Sequence, residues 1–145
     1  PAWLPSPDGD RSLSRQDEAG VVIDAEIAEH DTQHGLTHIG RHGAMLWVGG
    51  AQAQPGERVR ARVLARDVSV TRQPPGETSI LNVLPVVLES VQRERTTALL
   101  RLRVNSSPPE LAWTLLARIT SKSGDALALQ PGDALHAQIK GVALM

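Results

Sequence analysis

The sequence predicts an all-β protein made of two tandem five-stranded barrels, with one short helix in the second. Three features carry that expectation. Short runs alternate apolar and polar residues with a period of two, the mark of half-buried strands. Pro and Gly punctuate those runs at close intervals, as turns between short strands require. The pattern of the first half then recurs in the second: Pro55-Gly56 and Pro131-Gly132 stand 76 positions apart, each ahead of a run with its apolar residues on the same beat.

Residues 1–19, PAWLPSPDGDRSLSRQDEA, mix prolines, serines and both signs of charge without an apolar period, and read as a linker or disordered edge. From Gly20 onward Val21, Ile23, Ala25 and Ile27 fall on one side of a strand, with Asp24 and Glu26 on the other. Leu36–Ile39 and Met45–Val48 continue as short strands around glycines. After the Gln54-Pro55-Gly56 turn, Val59, Ala61, Val63 and Ala65 alternate with Arg58, Arg60, Arg62 and Leu64, the clearest strand in the chain. Arg72-Gln73-Pro74-Pro75-Gly76 breaks regular structure and divides a first module, 20–73, from a second, 77–145.

In the second module Val83–Val91 matches the opening strand, and Leu100, Leu102 and Val104 alternate with Arg101 and Arg103. A turn over Ser106-Ser107-Pro108-Pro109 precedes a strand at Leu111–Ile119. Thr120 or Ser121 caps a helix over Lys122–Leu129, which Gln130-Pro131-Gly132 ends, and Ala134–Met145 closes the half as a strand. The opening strands stand closer than the Pro-Gly turns do, so the second half carries an insertion, where the helix lies. One such barrel buries little surface, so the two copies are expected to share an interface. A single sandwich with accidental symmetry is the other arrangement the pattern allows.

Composition excludes several functions. A net charge of -1 gives no basic body for binding nucleic acid through its phosphates, and three Trp without Phe or Tyr offer few stacking platforms. The row Arg58, Arg60, Arg62 reads as a solvated face. Without cysteine there is neither a disulfide framework nor a thiolate metal site. No signal-peptide pattern is seen and no apolar run approaches the roughly 20 residues of a membrane helix, so a cytoplasmic protein without membrane insertion is expected. His30, His34, His38 and His42 recur every four residues, which on a helix could hold zinc, but Gly35, Gly40 and Gly43 oppose that helix and no metal site is expected. No catalytic residue is expected, because neither a Gly-x-Ser-x-Gly elbow nor a G-x-x-x-x-G-K-[ST] phosphate loop occurs.

Three segments are recognisable as a set: Ala65-Arg66-Asp67-Val68-Ser69-Val70, Thr78-Ser79-Ile80-Leu81-Asn82-Val83-Leu84-Pro85 and Ala137-Gln138-Ile139-Lys140-Gly141-Val142. Together with the opening that runs to Glu29-His30-Asp31, they resemble the C-terminal region of molybdate-importer ATP-binding subunits. In that family the region carries tandem Mop (TOBE) modules of the oligonucleotide-binding (OB) fold type. The resemblance runs from about Gly20 to Met145. It implies a molybdate or tungstate oxyanion as ligand with no organic cofactor, and a homodimer with the site between chains, Thr78–Asn82 of one facing Lys140-Gly141 of the other. It implies a regulatory, non-enzymatic region whose partners are the ATP-binding domain of the same chain and the importer's membrane subunit, located in the cytoplasm at the inner membrane. Family modules favour a Ser-Ala-Arg-Asn type turn and a Lys-Ser step. Here Leu81 stands in place of Arg and Gly141 in place of Ser, so backbone amides would have to carry more of the binding.

The residue chemistry fits such a ligand. A tetraoxo dianion offers only acceptors, so its site needs donors and must keep carboxylates away. Thr78 and Ser79 hydroxyls, the Asn82 amide, N–H groups around Ile80 and Leu81, and the Lys140 ammonium beside Gly141 supply donors; consecutive amides in a turn hold anions without net charge. Each has a plainer reading. Lys140 is equally an edge-strand lysine that discourages aggregation, and Ser79 and Asn82 are ordinary turn formers. Arg66-Asp67 reads as an internal ion pair. Two other functions stay open: a dimerisation module without ligand, and an OB-type nucleic-acid binder.

Overall fold

The computed structural model describes residues 19–50 and 53–145. The linker expected over 1–19 lies outside the described residues except for Ala19, which is buried. Ten strands follow in order: β1 (Gly20–Asp31), β2 (Leu36–Arg41), β3 (Ala44–Gly49), β4 (Arg58–Leu64), β5 (Val68–Thr71), β6 (Asn82–Arg93), β7 (Thr97–Val104), β8 (Trp113–Thr120), β9 (Ala134–Ile139) and β10 (Ala143–Leu144). Helix α1 (Ser121–Leu127) joins β8 to the Pro131-Gly132 turn. Two five-stranded antiparallel sheets result, ordered β10-β4-β1-β2-β3 and β5-β9-β6-β7-β8.

The duplication is visible in individual hydrogen bonds. At the first Pro-Gly turn Gly56 N–H donates to Ile27 C=O at 2.8 Å and Ile27 N–H to Glu57 C=O at 2.9 Å. At the second, Gly132 N–H donates to Leu88 C=O at 2.7 Å and Leu88 N–H to Asp133 C=O at 2.9 Å. Both glycines sit at positive φ, 91° and 96°, as the third residue of a type II turn requires. Both long strands also carry a register shift beside the anchored residue, at Ile27/Glu29 and Leu88/Ser90, so each bends at the same place.

Each sheet takes its outermost strand from the other half. β5 leaves the first half to pair with β9, Val68 opposite Ile139, while β10 leaves the second to pair with β4, Ala143 opposite Arg62. The continuous strand expected over Ala134–Met145 is therefore broken at residues 140–142. β9 is already flanked by β5 and β6, whereas β4 has a free edge that Ala143 and Leu144 fill, satisfying backbone groups that would otherwise stay unpaired.

A single apolar cluster runs through both sheets, from Ala19 and Val21 to Leu135 and Ile139. β8 explains how. It packs against β1, β4, β5 and the Ala65–Asp67 turn, so Leu115, Leu116 and Ala117 are all buried in a row rather than in alternation, as expected of a strand covered on both faces. This strand begins at Trp113 rather than Leu111, because Pro108 and Pro109 lack the N–H a ladder needs and a 3-10 turn forms at Pro109–Leu111 instead. Thr120 caps α1 by accepting Ser123 N–H at 3.0 Å. Arg72 closes its other end, donating to the Leu127 and Ala128 carbonyls and to Asp133.

Candidate functional site

The stretch from Ser79 to Asn82 runs into β6, and residues 140–142 run out of β9. Because Asn82 and Ile139 are direct partners across the β6–β9 ladder, the two segments emerge side by side within one chain. They line an open cleft of about 340 Å³, with Ser79, Ile80, Leu81 and Asn82 on one wall and Lys140, Gly141 and Val142 on another. The third wall comes from the first half: Leu36 of β2 and Trp47, Val48 and Gly49 of β3. No residue lining the cleft is acidic, and Lys140 is its one charged residue.

The expected site residues do different things there. Thr78 is outside the lining. Its hydroxyl accepts Ile80 N–H at 3.2 Å, shaping the turn and occupying that amide. Ser79 is exposed with its hydroxyl unengaged, and among the described residues no acceptor is found for the N–H groups of Ser79, Leu81 or Gly141. Leu81 is 62% exposed, an apolar side chain at the mouth of the cleft. Asn82 is buried and bridges the sheets: its Oδ1 accepts Trp47 N–H at 2.7 Å and its Nδ2 donates to Trp47 C=O at 2.9 Å.

Lys140 N–H donates to Asp67 C=O at 2.7 Å, which fixes the backbone where the chain crosses between sheets, and the side chain is exposed. Asp67 also packs its carboxylate on Gly141: a Cβ at that position would lie 3.1 Å from Asp67 Oδ2. The Arg66–Asp67 ion pair expected from sequence is absent among the described residues; Arg66 points outward and Asp67 toward Gly141.

Sequence reasoning did not find the first-half wall. The signal for it is weak. Alternation places Trp47 on a strand, but only the tertiary fold shows that β3 is an edge strand whose outward N–H and C=O groups face the second half. On an antiparallel edge those groups recur every second residue, so Gly49 presents its own N–H toward the cleft as Trp47 does toward Asn82.

The four histidines scatter. His30 in β1 has both ring nitrogens engaged, with Thr37 Oγ1 at 2.8 Å and Ala53 C=O at 2.8 Å. Since a carbonyl only accepts, Nε2 is the donor in the contact with Ala53. His34 sits against Asp31 at 2.8 Å, and that hydrogen bond holds the Asp31 carboxyl below its ordinary value. His38 stacks on Trp47 with ring centroids 4.0 Å apart, and His42 lies in the β2–β3 turn. Among the described residues no group of three or more metal-ligating side chains gathers. Arg58, Arg60 and Arg62 face solvent, and Arg60 approaches Asp24 at 3.6 Å.

Comparison with known proteins finds similar sequences and a similar fold. Residues 78–145, which hold both cleft segments of the second half, match the TOBE domain family model. The second half of the chain is thus similar to that family. Over nearly its whole length the chain is similar to molybdenum import ATP-binding proteins. It is 43% identical to that of Aromatoleum aromaticum over 139 residues, covering 94% of this chain and 35% of the relative. It is 44% identical to that of Thiobacillus denitrificans over 131 residues, 89% of this chain and 34% of the relative. The chain thus spans about a third of the length of the relatives it matches. The fold is similar to that of the cytoplasmic molybdate-binding protein ModG, in a crystal form with molybdate bound. The TM-score is 0.66 at 18% identity, over 86% of this chain and 94% of ModG. Among the described residues no helix is long and apolar enough to cross a membrane.

Proposed function

We propose that the chain is an oxyanion-binding regulatory region of a molybdate importer's ATPase subunit, taking molybdate or tungstate in the cleft between Ser79–Asn82 and Lys140-Gly141. In this reading the two sheets are tandem barrels of the OB type, 20–73 and 77–145, linked by their exchanged strands. The observation that carries it is the lining. Ser79, Leu81, Lys140 and Gly141 line one open space with no carboxylate among the lining residues, and the amides of Ser79, Leu81 and Gly141 have no backbone acceptor among the described residues, which leaves donors available to a donor-less dianion. The match to molybdenum import proteins and the likeness of fold to a molybdate-binding protein agree with it.

Homodimerisation would cover the open side of the cleft, and a ligand that binds one dimer arrangement better than another would bias it, slowing transport when the cytoplasm is replete. The ATP-binding domain of the same chain and the membrane subunit of the importer are the partners through which that bias acts, on the cytoplasmic face of the inner membrane. The region itself catalyses nothing. Isothermal titration of the chain with molybdate, tungstate and sulfate tests the reading: saturable heat with the first two is expected, and none with any of the three sinks it.

A second reading has its own support. Leu81 and Gly141 supply no side-chain donor, and Asp67 touches Gly141, as in a module whose anion site has decayed and whose task is to hold subunits together. Lys140→Ala separates the two. Anion binding weakened roughly ten- to a hundredfold, the worth of a charge-assisted hydrogen bond, favours the sensor. Unchanged anion response with unchanged sedimentation favours the structural module.

A further inference from the structure

The cleft excludes acidic residues from its lining, yet one carboxylate stands directly behind it. Asp67 belongs to the first half, on the 3-10 turn that precedes β5, and reaches Gly141 because the two crossing segments pass each other where the halves exchange strands. Its Oδ2 would lie 3.1 Å, and its Cγ 3.4 Å, from a Cβ at position 141. The carboxylate therefore occupies the space that a side chain at 141 would need. Position 141 contributes only its backbone to the cleft, with an anionic group packed on the other side of it.

We propose that Asp67 sets the oxyanion affinity of the neighbouring module from across the exchange point, holding it low by like-charge repulsion of the bound dianion. The inference rests on the oxyanion reading of the cleft. Its logic is electrostatic. A carboxylate near a dianion raises the free energy of the loaded state and leaves the empty one untouched, so it acts on affinity rather than on folding. It also makes the first half a participant in binding: any shift of the Ala65–Asp67 turn, which packs against β8, changes the charge presented to the ligand. A sensor built this way fills only when the oxyanion is abundant.

Asp67→Asn keeps the shape of the side chain and the Lys140 N–H bond to the backbone carbonyl; it removes the charge and turns one carboxylate oxygen into an amide donor, so the salt dependence of the gain is what identifies the electrostatic part. Titration calorimetry with sodium molybdate on the 145-residue chain is the measurement. The expected result is binding tighter by roughly three- to tenfold at low ionic strength, the order of a screened interaction of one charge with a dianion a few ångströms beyond it. That gain is expected to shrink toward unity as salt brings the Debye length to about 3 Å near 1 M. Glu57→Gln, at the far end of β4 and exposed, makes the same change in net charge and is expected to leave affinity unaltered. Equal affinity in Asp67→Asn and the parent, weaker affinity in the variant, or an equal gain from Glu57→Gln each overturns the inference while the oxyanion reading stands. Binding seen in the variant alone supports it. Heat from neither protein removes both the inference and the reading beneath it.

Discussion

Asn82 holds Trp47 by both of its main-chain groups, accepting from the N–H at 2.7 Å and donating to the C=O at 2.9 Å. One carboxamide thus does for the open edge of β3 what a neighbouring strand would do, and it ties the first half's edge strand to the start of β6. Replacing Asn82 by Ala leaves both Trp47 groups without a partner at a largely buried junction. A loss of about 1–3 kcal/mol in stability follows, the cost of an unmet buried hydrogen bond, read from the urea midpoint. A midpoint shift below about 0.5 kcal/mol, the size of an ordinary surface substitution, would show that the junction does not depend on this contact.

Gly141 and Asp67 should be coupled. Gly141→Ser places a Cβ 3.1 Å from Asp67 Oδ2 and forces that side chain aside. In an Asp67→Ala background the obstruction is gone. A double-mutant cycle is expected to give a coupling of about 0.5–2 kcal/mol, with serine better tolerated once Asp67 is truncated. Additive effects would mean the carboxylate simply swings away.

Gly56 and Gly132 occupy the same turn position in the two halves, at φ of 91° and 96°. Neither would have a Cβ clash, so alanine at either site reports backbone strain alone. Each substitution is expected to lower stability by about 1 kcal/mol, since a Cβ disfavours positive φ, and thermal melts should show two similar losses. A large difference between them would deny the equivalence of the turns.

Acid stability carries a signature at Asp133. Gln130 N–H donates to its carboxylate at 2.9 Å and Arg72 pairs with it, in that order of effect, so its folded value lies below the ordinary 3.8. A lowered carboxyl stabilises the fold above the unfolded value, and that contribution disappears as pH falls from 3.8 toward the folded value. Asp133→Asn should therefore melt at a lower temperature than the parent at about pH 6, and the gap should narrow as the pH is taken below 3.8. A gap that persists at the lower pH would assign the loss to packing or turn geometry instead.

Much of the local structure was legible in the residues. Val59, Ala61 and Val63 turn inward and Arg58, Arg60 and Arg62 outward because a strand's side chains alternate whatever lies beside it. Pro55-Gly56 and Pro131-Gly132 announce their turns because few other residues accept the required φ. Thr120 caps α1 through a hydroxyl only three residues from the amide it meets. The donor-rich segments at Ser79 and Lys140 could likewise be named as candidates, since what a side chain can donate is a property of the residue.

Which strand lies beside which was not legible. Period-two alternation encodes the face a residue points to and says nothing about its neighbour, so the sequence alone determined strands, turns and a likeness between halves. The tertiary structure decided that β5 and β10 cross into each other's sheets, because β9 and β4 had edges to fill and long-range pairing follows the free edge. That crossing set Asp67 on Gly141, committed Asn82 to Trp47 and built the third wall of the cleft from β2 and β3. Each of these depends on backbone groups and shapes meeting across long stretches of chain, 35 residues in the case of Trp47 and Asn82, and such a meeting is a property of the whole packed molecule rather than of any stretch of its sequence.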